Sequence, residues 1–352
     1  MKRDRVLLLI ILAFLSFVAG CATNLPPRSP QPTADTFVLE GSDGILGSFT
    51  MDLSNGSVSR QQTILIPGLG YLAAADPLGR FLWVPQHDVA FKDVFVTAPP
   101  TINTYMRGVD GQFSLSDQRD YQPRIYEIAV ERHGRWAYGD SSGERRTFSI
   151  SPVDGHLQEV AINPPGEGTL SVLHPLKNIF YGYLVSNPFT PAQTTTFVAY
   201  APDDATGELR PLPNVSAQGN YFVREMAFTS DGRYLIAVDF NNQVHLLAVD
   251  EDGSLTEVDT LTSAVFIGGL VPHPRLQIIY HQSGEDGVLN ALRVDNGTLI
   301  EEKFPFPGQP GFLHISSNGR FLLAQDGAVS LITLDPQTGA PIGIQPVDFS
   351  FF

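Results

Sequence analysis

Arg224 and Glu225 open the apolar stretch "FVREMAFTSDGRYLIAVD" (222–239) as a charged pair where a buried strand would ordinarily carry none. A guanidinium at such a place can hold a developing oxyanion, and a carboxylate beside it can take a proton from water once burial lifts its pKa. Glu127 is a second candidate base, because it precedes Gly134 by the same offset as Glu225 precedes Gly232. Arg124, Tyr126, Glu167, Phe312 and His314 fall at comparable strand starts and form a polar, aromatic set suited to a sugar or a peptide. The competing assignment is structural, with Arg224 paired to Glu225 or Glu127 and bracing the strands.

The elements that must position these residues repeat along the chain. "AADPLGRFLWV" (74–84), "VERHGRWAYGD" (130–140), "VLHPLKNIFYGY" (172–183), "FTSDGRYLIAVD" (228–239), "VPHPRLQIIYHQ" (271–282) and "ISSNGRFLLAQD" (315–326) align on Gly79, Gly134, Lys177, Gly232, Leu276 and Gly319. Each marker is a polar turn between two apolar runs, and Asp-Gly or Asn-Gly there signals a hairpin. A second turn of the kind "DLSNGS", "RGVDGQ" or "DEDGSL" occurs seven times. Two hairpins per period of about 45 residues mean four strands per unit, the unit of a propeller blade.

The pattern predicts an all-β, seven-bladed β-propeller with four antiparallel strands per blade. Residues 36–57 supply the later strands of a blade whose first strand is missing, and the C-terminal "VDFSFF" (347–352) is the candidate to supply it, closing the ring by pairing the two ends. Residues 85–106 and 184–196 read as insertions after the second strand of their blades, on the face where propellers usually bind ligands.

The stretch "TSDGRYLIAVDFNNQVHLLAVDEDGSLTEV" resembles the blades of the lactonase-type seven-bladed propellers, the family of 6-phosphogluconolactonase and carboxymuconate cyclase, and the resemblance extends over residues 36–352. It implies a mouth lined by a Pro-Arg-His entry to one inner strand, a His entering the preceding blade, and an Asn-Glu pair ending the second strand. Here Val223-Arg224-Glu225 stands at the first place, Thr169 at the second and Asp239-Phe240 at the third. Only the arginine is kept. The resemblance therefore implies a ligand-binding mouth at Arg224, Thr169 and Asp239, with an extracytoplasmic lactone hydrolase or a related cyclase as the alternative.

The N-terminus carries an address. "MKRDR" followed by "VLLLIILAFLSFVAG" has the basic start and short apolar core of a secretory signal. Val18-Ala19-Gly20-Cys21 is similar to the lipobox of bacterial lipoproteins, which makes Cys21, the only cysteine of 352 residues, a lipid anchor to the membrane. Ala22 after the cysteine points to an outer-membrane address facing the periplasm. The expected organisation is signal peptide 1–20, lipidated Cys and Pro-rich tether 21–35, and propeller 36–352.

Composition narrows the partners. With 37 acidic and 22 basic residues, a net charge of −15, nucleic acid is not expected as a partner. "DEDGSLTEVDTL" (250–261) begins like a calcium loop but has Leu261 where a bidentate Glu is required. No HExxH, G-x-S-x-G or phosphate-binding loop occurs. No cofactor or metal is expected, and the partner is a protein or small molecule at the channel mouth.

Overall fold

The two kinds of turn set the architecture, because each reverses the chain, in most blades at a glycine that accepts a left-handed backbone. In the computed structural model, described for residues 34–347 apart from 41–44, 66–73, 87–88, 92–93, 97–99, 123, 126, 142–143, 164–168, 187–192, 214–216, 284, 309, 311 and 327, all seven glycines of the second turn have φ between +73° and +88°. A side chain would be strained there.

Among the described residues seven antiparallel blade sheets follow one another along the chain, with one further two-stranded sheet inserted in the second. Blade I holds β1 (Ala34–Glu40), β2 (Ile45–Asp52) and β3 (Val58–Leu65). Blade II holds β4 (Ala74–Ala75), β5 (Phe81–Pro85), an inserted hairpin of β6 (Val89–Phe91) and β7 (Val94–Val96), then β8 (Thr101–Arg107) and β9 (Phe113–Asp120). Blade III is β10 (Glu127–Val130), β11 (Trp136–Ser141), β12 (Glu144–Ile150) and β13 (Leu157–Asn163). Blade IV has β14 (Thr169–Leu173), β15 (Phe180–Ser186), β16 (Thr194–Pro202) and an outer edge divided between β17 (Leu209–Pro211) and β18 (Gln218–Gly219).

Blade V is β19 (Val223–Phe228), β20 (Tyr234–Asp239), β21 (Gln243–Val249) and β22 (Leu255–Thr262). Blade VI is β23 (Gly268–Pro272), β24 (Ile278–Gln282), β25 (Val288–Asp295) and β26 (Thr298–Pro305). Blade VII is β27 (Phe312–Ile315), β28 (Phe321–Asp326), β29 (Ala328–Leu334) and β30 (Pro341–Val347). The fold is thus the expected seven-bladed β-propeller, and the described residues contain no helix.

Apolar side chains alternate along the middle strands and pack between neighbouring blades. One buried cluster joins blades II and III through Phe81, Trp83 and Phe148, and another joins IV and V through Tyr181, Phe197 and Phe228. The last interface closes the ring: Phe49 and Met51 of blade I pack on Phe321, Leu323 and Leu331 of blade VII. Polar contacts cross the same seam, with Ser317 Oγ donating to Asp35 Oδ1 at 2.6 Å and Asn318 Nδ2 to the Leu53 carbonyl at 3.0 Å. Three strands of blade I are described; Val347 ends β30, and residues 348–352 of the expected closing strand lie outside the described residues.

A recurring latch ties several of the blades to the next. The carbonyl of the second-turn glycine accepts from an aromatic donor of the preceding blade: Trp83 Nε1 to Gly155 at 2.9 Å, Tyr138 OH to Gly207 at 2.9 Å, and Tyr181 OH to Gly253 at 3.0 Å. In blades IV and VI, whose first turns carry Lys177 and Leu276 in place of the glycine, a buried histidine three residues earlier holds the turn. His174 Nδ1 accepts from the Leu176 and Lys177 amides at 3.0 Å, while its Nε2 donates to the Gly232 carbonyl at 3.1 Å. His273 repeats this pattern toward Gly319. Burial holds both imidazoles below their ordinary pKa.

Candidate functional site

In each antiparallel meander the first and third strands start, and the second and fourth end, at one face. That face carries the candidate residues. The start of β19 is irregular: the β19–β20 register shifts between Val223 and Glu225, so Arg224 is the extra residue of a bulge. A bulge turns a side chain out of the ladder.

The guanidinium so released lies 4.1 Å from the Phe266 ring centre and 5.8 Å from that of Phe240. Its Nη2 reaches Asn242 Oδ1 at 3.5 Å, and its Nε is buried without an acceptor. Burial pulls its pKa down, and the charges of Glu225 and Asp239 pull it part of the way back. Arg224 forms no ion pair among the described residues, so the expected bracing pair with Glu225 or Glu127 is not made. Arg145, Arg146 and Arg293 differ in this respect, each holding a carboxylate at 2.5–2.6 Å.

The two carboxylates nearest to Arg224 are engaged with backbone. Glu225 Oε1 accepts from the Leu270 amide at 2.6 Å, inside the bulge of β23 between Gly268 and Val271. A bulge frees an amide from its ladder, and Glu225 satisfies it across the boundary of blades V and VI. Asp239 is buried at the end of β20, where its Oδ1 accepts from the Asn241 and Gln243 amides at 2.8 Å and shapes the turn into β21.

Glu127 occupies a different environment. It faces Asp140 across β10 and β11, and Asp140 is held by Arg145 at 2.6 and 3.2 Å. Burial raises the Glu127 pKa, the Asp140 charge raises it further, and Arg145 opposes both. Its charge is also felt by Tyr183 of blade IV, the residue opposite Thr169 in the β14–β15 register. Glu127 makes no hydrogen bond or ion pair among the described residues, so a half-buried acid with a raised pKa is available to exchange a proton.

The remaining candidates are spread around the ring. Arg124 lies on the β9–β10 connection, Thr169 begins β14, and Phe312 begins β27 opposite Gln325. His314 is in β27, where burial lowers its pKa and the Asp35 charge opposes the shift. Tyr126, Glu167 and Cys21 lie outside the described residues. No group of three or more His, Cys, Asp or Glu among the described residues is placed to hold a metal ion.

Sequence reasoning did not find the aromatic part of the site. Phe240 and Phe266 are 56% and 51% exposed, and Phe240 stacks on Phe222 with ring centres 4.7 Å apart. The available signal was an apolar residue directly after the strand-ending Asp239, in a turn otherwise built from Asp and Asn. Phe266 gave no comparable signal, because its place beside Arg224 depends on the path of the β22–β23 connection. Nor did spacing reveal Asp140 and Arg145 as the setting of Glu127.

The fold is shared with solved structures. A "putative 6-phosphogluconolactonase" from Bacteroides uniformis superposes with a TM-score of 0.63 at 16% identity, over 87% of this chain and 96% of that one. A second structure with that description, from Bacteroides fragilis, gives 0.61 at 16% identity over 92% and 100% of the two chains. The periplasmic gluconolactonase PpgL of Pseudomonas aeruginosa gives 0.57 at 18% identity, over 90% and 99%. No protein-family model and no curated protein matches the chain in sequence. At these identities the likeness shows the seven-bladed propeller fold, and activity has to be argued from the site.

Proposed function

We propose that the protein is a lipid-anchored propeller of the bacterial cell envelope that binds a ligand at the channel mouth around blades III to VI. The observation that carries this is Arg224: a half-buried guanidinium on the mouth face, stacked on Phe266 and lacking a carboxylate partner among the described residues. A structural arginine is normally paired, as Arg145 and Arg293 are. The site has a cation without the histidine that the resembling family would place at Thr169, and Glu225 is committed to the Leu270 amide. These features fit binding better than hydrolysis.

Glu127 favours a second reading, extracytoplasmic lactone hydrolysis. Its pKa is raised and it is unpartnered among the described residues, as a general base requires, while Arg224 would receive the oxyanion. The two readings separate in one assay: turnover of sugar and aliphatic lactones by the purified protein, alongside Arg224→Ala and Glu127→Gln. Turnover lost in both variants would replace binding by hydrolysis. Turnover no higher than that of Arg224→Ala is the expected result.

The address rests on the sequence of residues 1–21, and the periplasmic location named for PpgL is consistent with it. Two acyl chains hold a protein on a bilayer where one is marginal. Cys21→Ser is therefore expected to move the protein from the membrane fraction to the soluble fraction. Unchanged sedimentation of a processed chain would remove the anchor from the proposal.

A further inference from the structure

Three aromatic rings and one guanidinium meet where the connections of blades V and VI reach the mouth. Phe222 and Phe240 stack at 28°, and Phe266 covers Arg224 from the β22–β23 connection. An aromatic face attracts the flat face of a guanidinium but leaves the N–H donors around its edge unsatisfied. Those donors meet Asn242 Oδ1 at 3.5 Å, at the limit of a hydrogen bond, while Nε meets no acceptor.

A cation taken partly out of water without a counter-charge is costly, and an anion completes it. The chain has 37 acidic residues available, and the two nearest, Glu225 and Asp239, hold backbone amides instead. Among the described residues, the charges that act on Arg224 are those of Glu225 and Asp239. The guanidinium edge matches the two-oxygen fork of a carboxylate, and its one positive charge balances the carboxylate's one negative charge, where a phosphate monoester carries about two. The exposed faces of Phe240 and Phe266 add a second requirement, since a flat ring body can cover them and a small ion cannot.

We propose that Arg224, Phe240 and Phe266 form a subsite for a carboxylate carried on a six-membered ring, with the guanidinium edge taking the carboxylate and the phenylalanine faces taking the ring. This rests on the mouth being a ligand site and adds the class of ligand. Aromatic acids and sugar acids share the required chemistry, so both are used as probes.

The test is isothermal titration of the purified protein with benzoate and glucuronate, against benzamide and glucose as uncharged counterparts and acetate as the ringless acid. At least one ring acid is expected to bind about tenfold or more tightly than its neutral counterpart and than acetate. Binding confined to benzoate identifies the aromatic source, and binding confined to glucuronate the sugar source. Arg224→Gln should erase the preference for the acid, and Phe266→Ala should weaken the ring acid about tenfold while leaving acetate unchanged. Melting curves establish that both variants are folded, and Arg224→Lys serves as the second variant if Arg224→Gln is not.

Equal affinity for acid and neutral counterpart, equal affinity for acetate, or indifference to Phe266→Ala would each overturn the subsite. Failure of every ring acid to bind overturns it as well. The broader binding proposal then remains to be decided by the lactone assay.

Discussion

Glu127 and Glu225 hold equivalent places in two blades and have been put to different uses. Glu225 closes a bulge in the neighbouring blade through the Leu270 amide, whereas Glu127 faces another carboxylate and finds no donor among the described residues. Its raised pKa has a consequence for stability with a definite sign. The folded protein holds the Glu127 proton more tightly than the unfolded chain does, so this group's contribution is most favourable below the ordinary carboxylate pKa. That contribution falls as pH climbs from the unfolded value through the raised folded value. Glu127→Gln removes the titration and keeps the shape. It is expected to raise the melting temperature by about 1–3 °C at pH 7.5 and to leave it unchanged near pH 4, where both side chains are neutral. The same shift at both pH values would show that packing, not charge, controls this position.

The elements were legible from the sequence wherever a single residue type decides a local conformation. Seven second turns appear in sequence as Asn-Gly, Asp-Gly or Thr-Gly steps and appear in the structure as seven glycines with positive φ. The insertion after Leu82-Trp83-Val84 was legible as excess length, and it folds in part as the β6–β7 hairpin. What remained hidden depends on contacts between blades. His174 and His273, three residues before Lys177 and Leu276, give no local sign of their role, yet each accepts two amides of its own turn and bonds the next blade. The bulges that expose Arg224 and occupy Glu225 leave no local mark either, because a one-residue register shift is fixed by the neighbouring strand. Arg224 was therefore found as an oddity of charge, while its ring partners, which arrive from two separate connections, were not.

At the scale of the molecule, stability depends on a ring with no free end. Each blade contributes apolar faces to both of its neighbours, so opening one interface exposes two faces. The seam between blades VII and I is the place where no continuous chain crosses. It is held by Phe49, Met51, Phe321 and Leu331, by Asp35 on Ser317, and by Asn318 on Leu53. Blade I has three described strands where the other blades have at least four, which leaves the inner edge of β1 without a partner among the described residues. An unpaired edge is a standing liability, and the residues after Val347, "DFSFF", are apolar enough to cover it. Deleting residues 348–352 is expected to lower the melting temperature by about 10 °C or more and to increase aggregation, as an interface and an edge are lost together. Asp35→Ala, which weakens the seam without uncovering the edge, should cost only a few degrees. If the truncated protein melts like the intact one, the ring is sealed by the side-chain seam alone, and the C-terminal segment is free to serve another purpose.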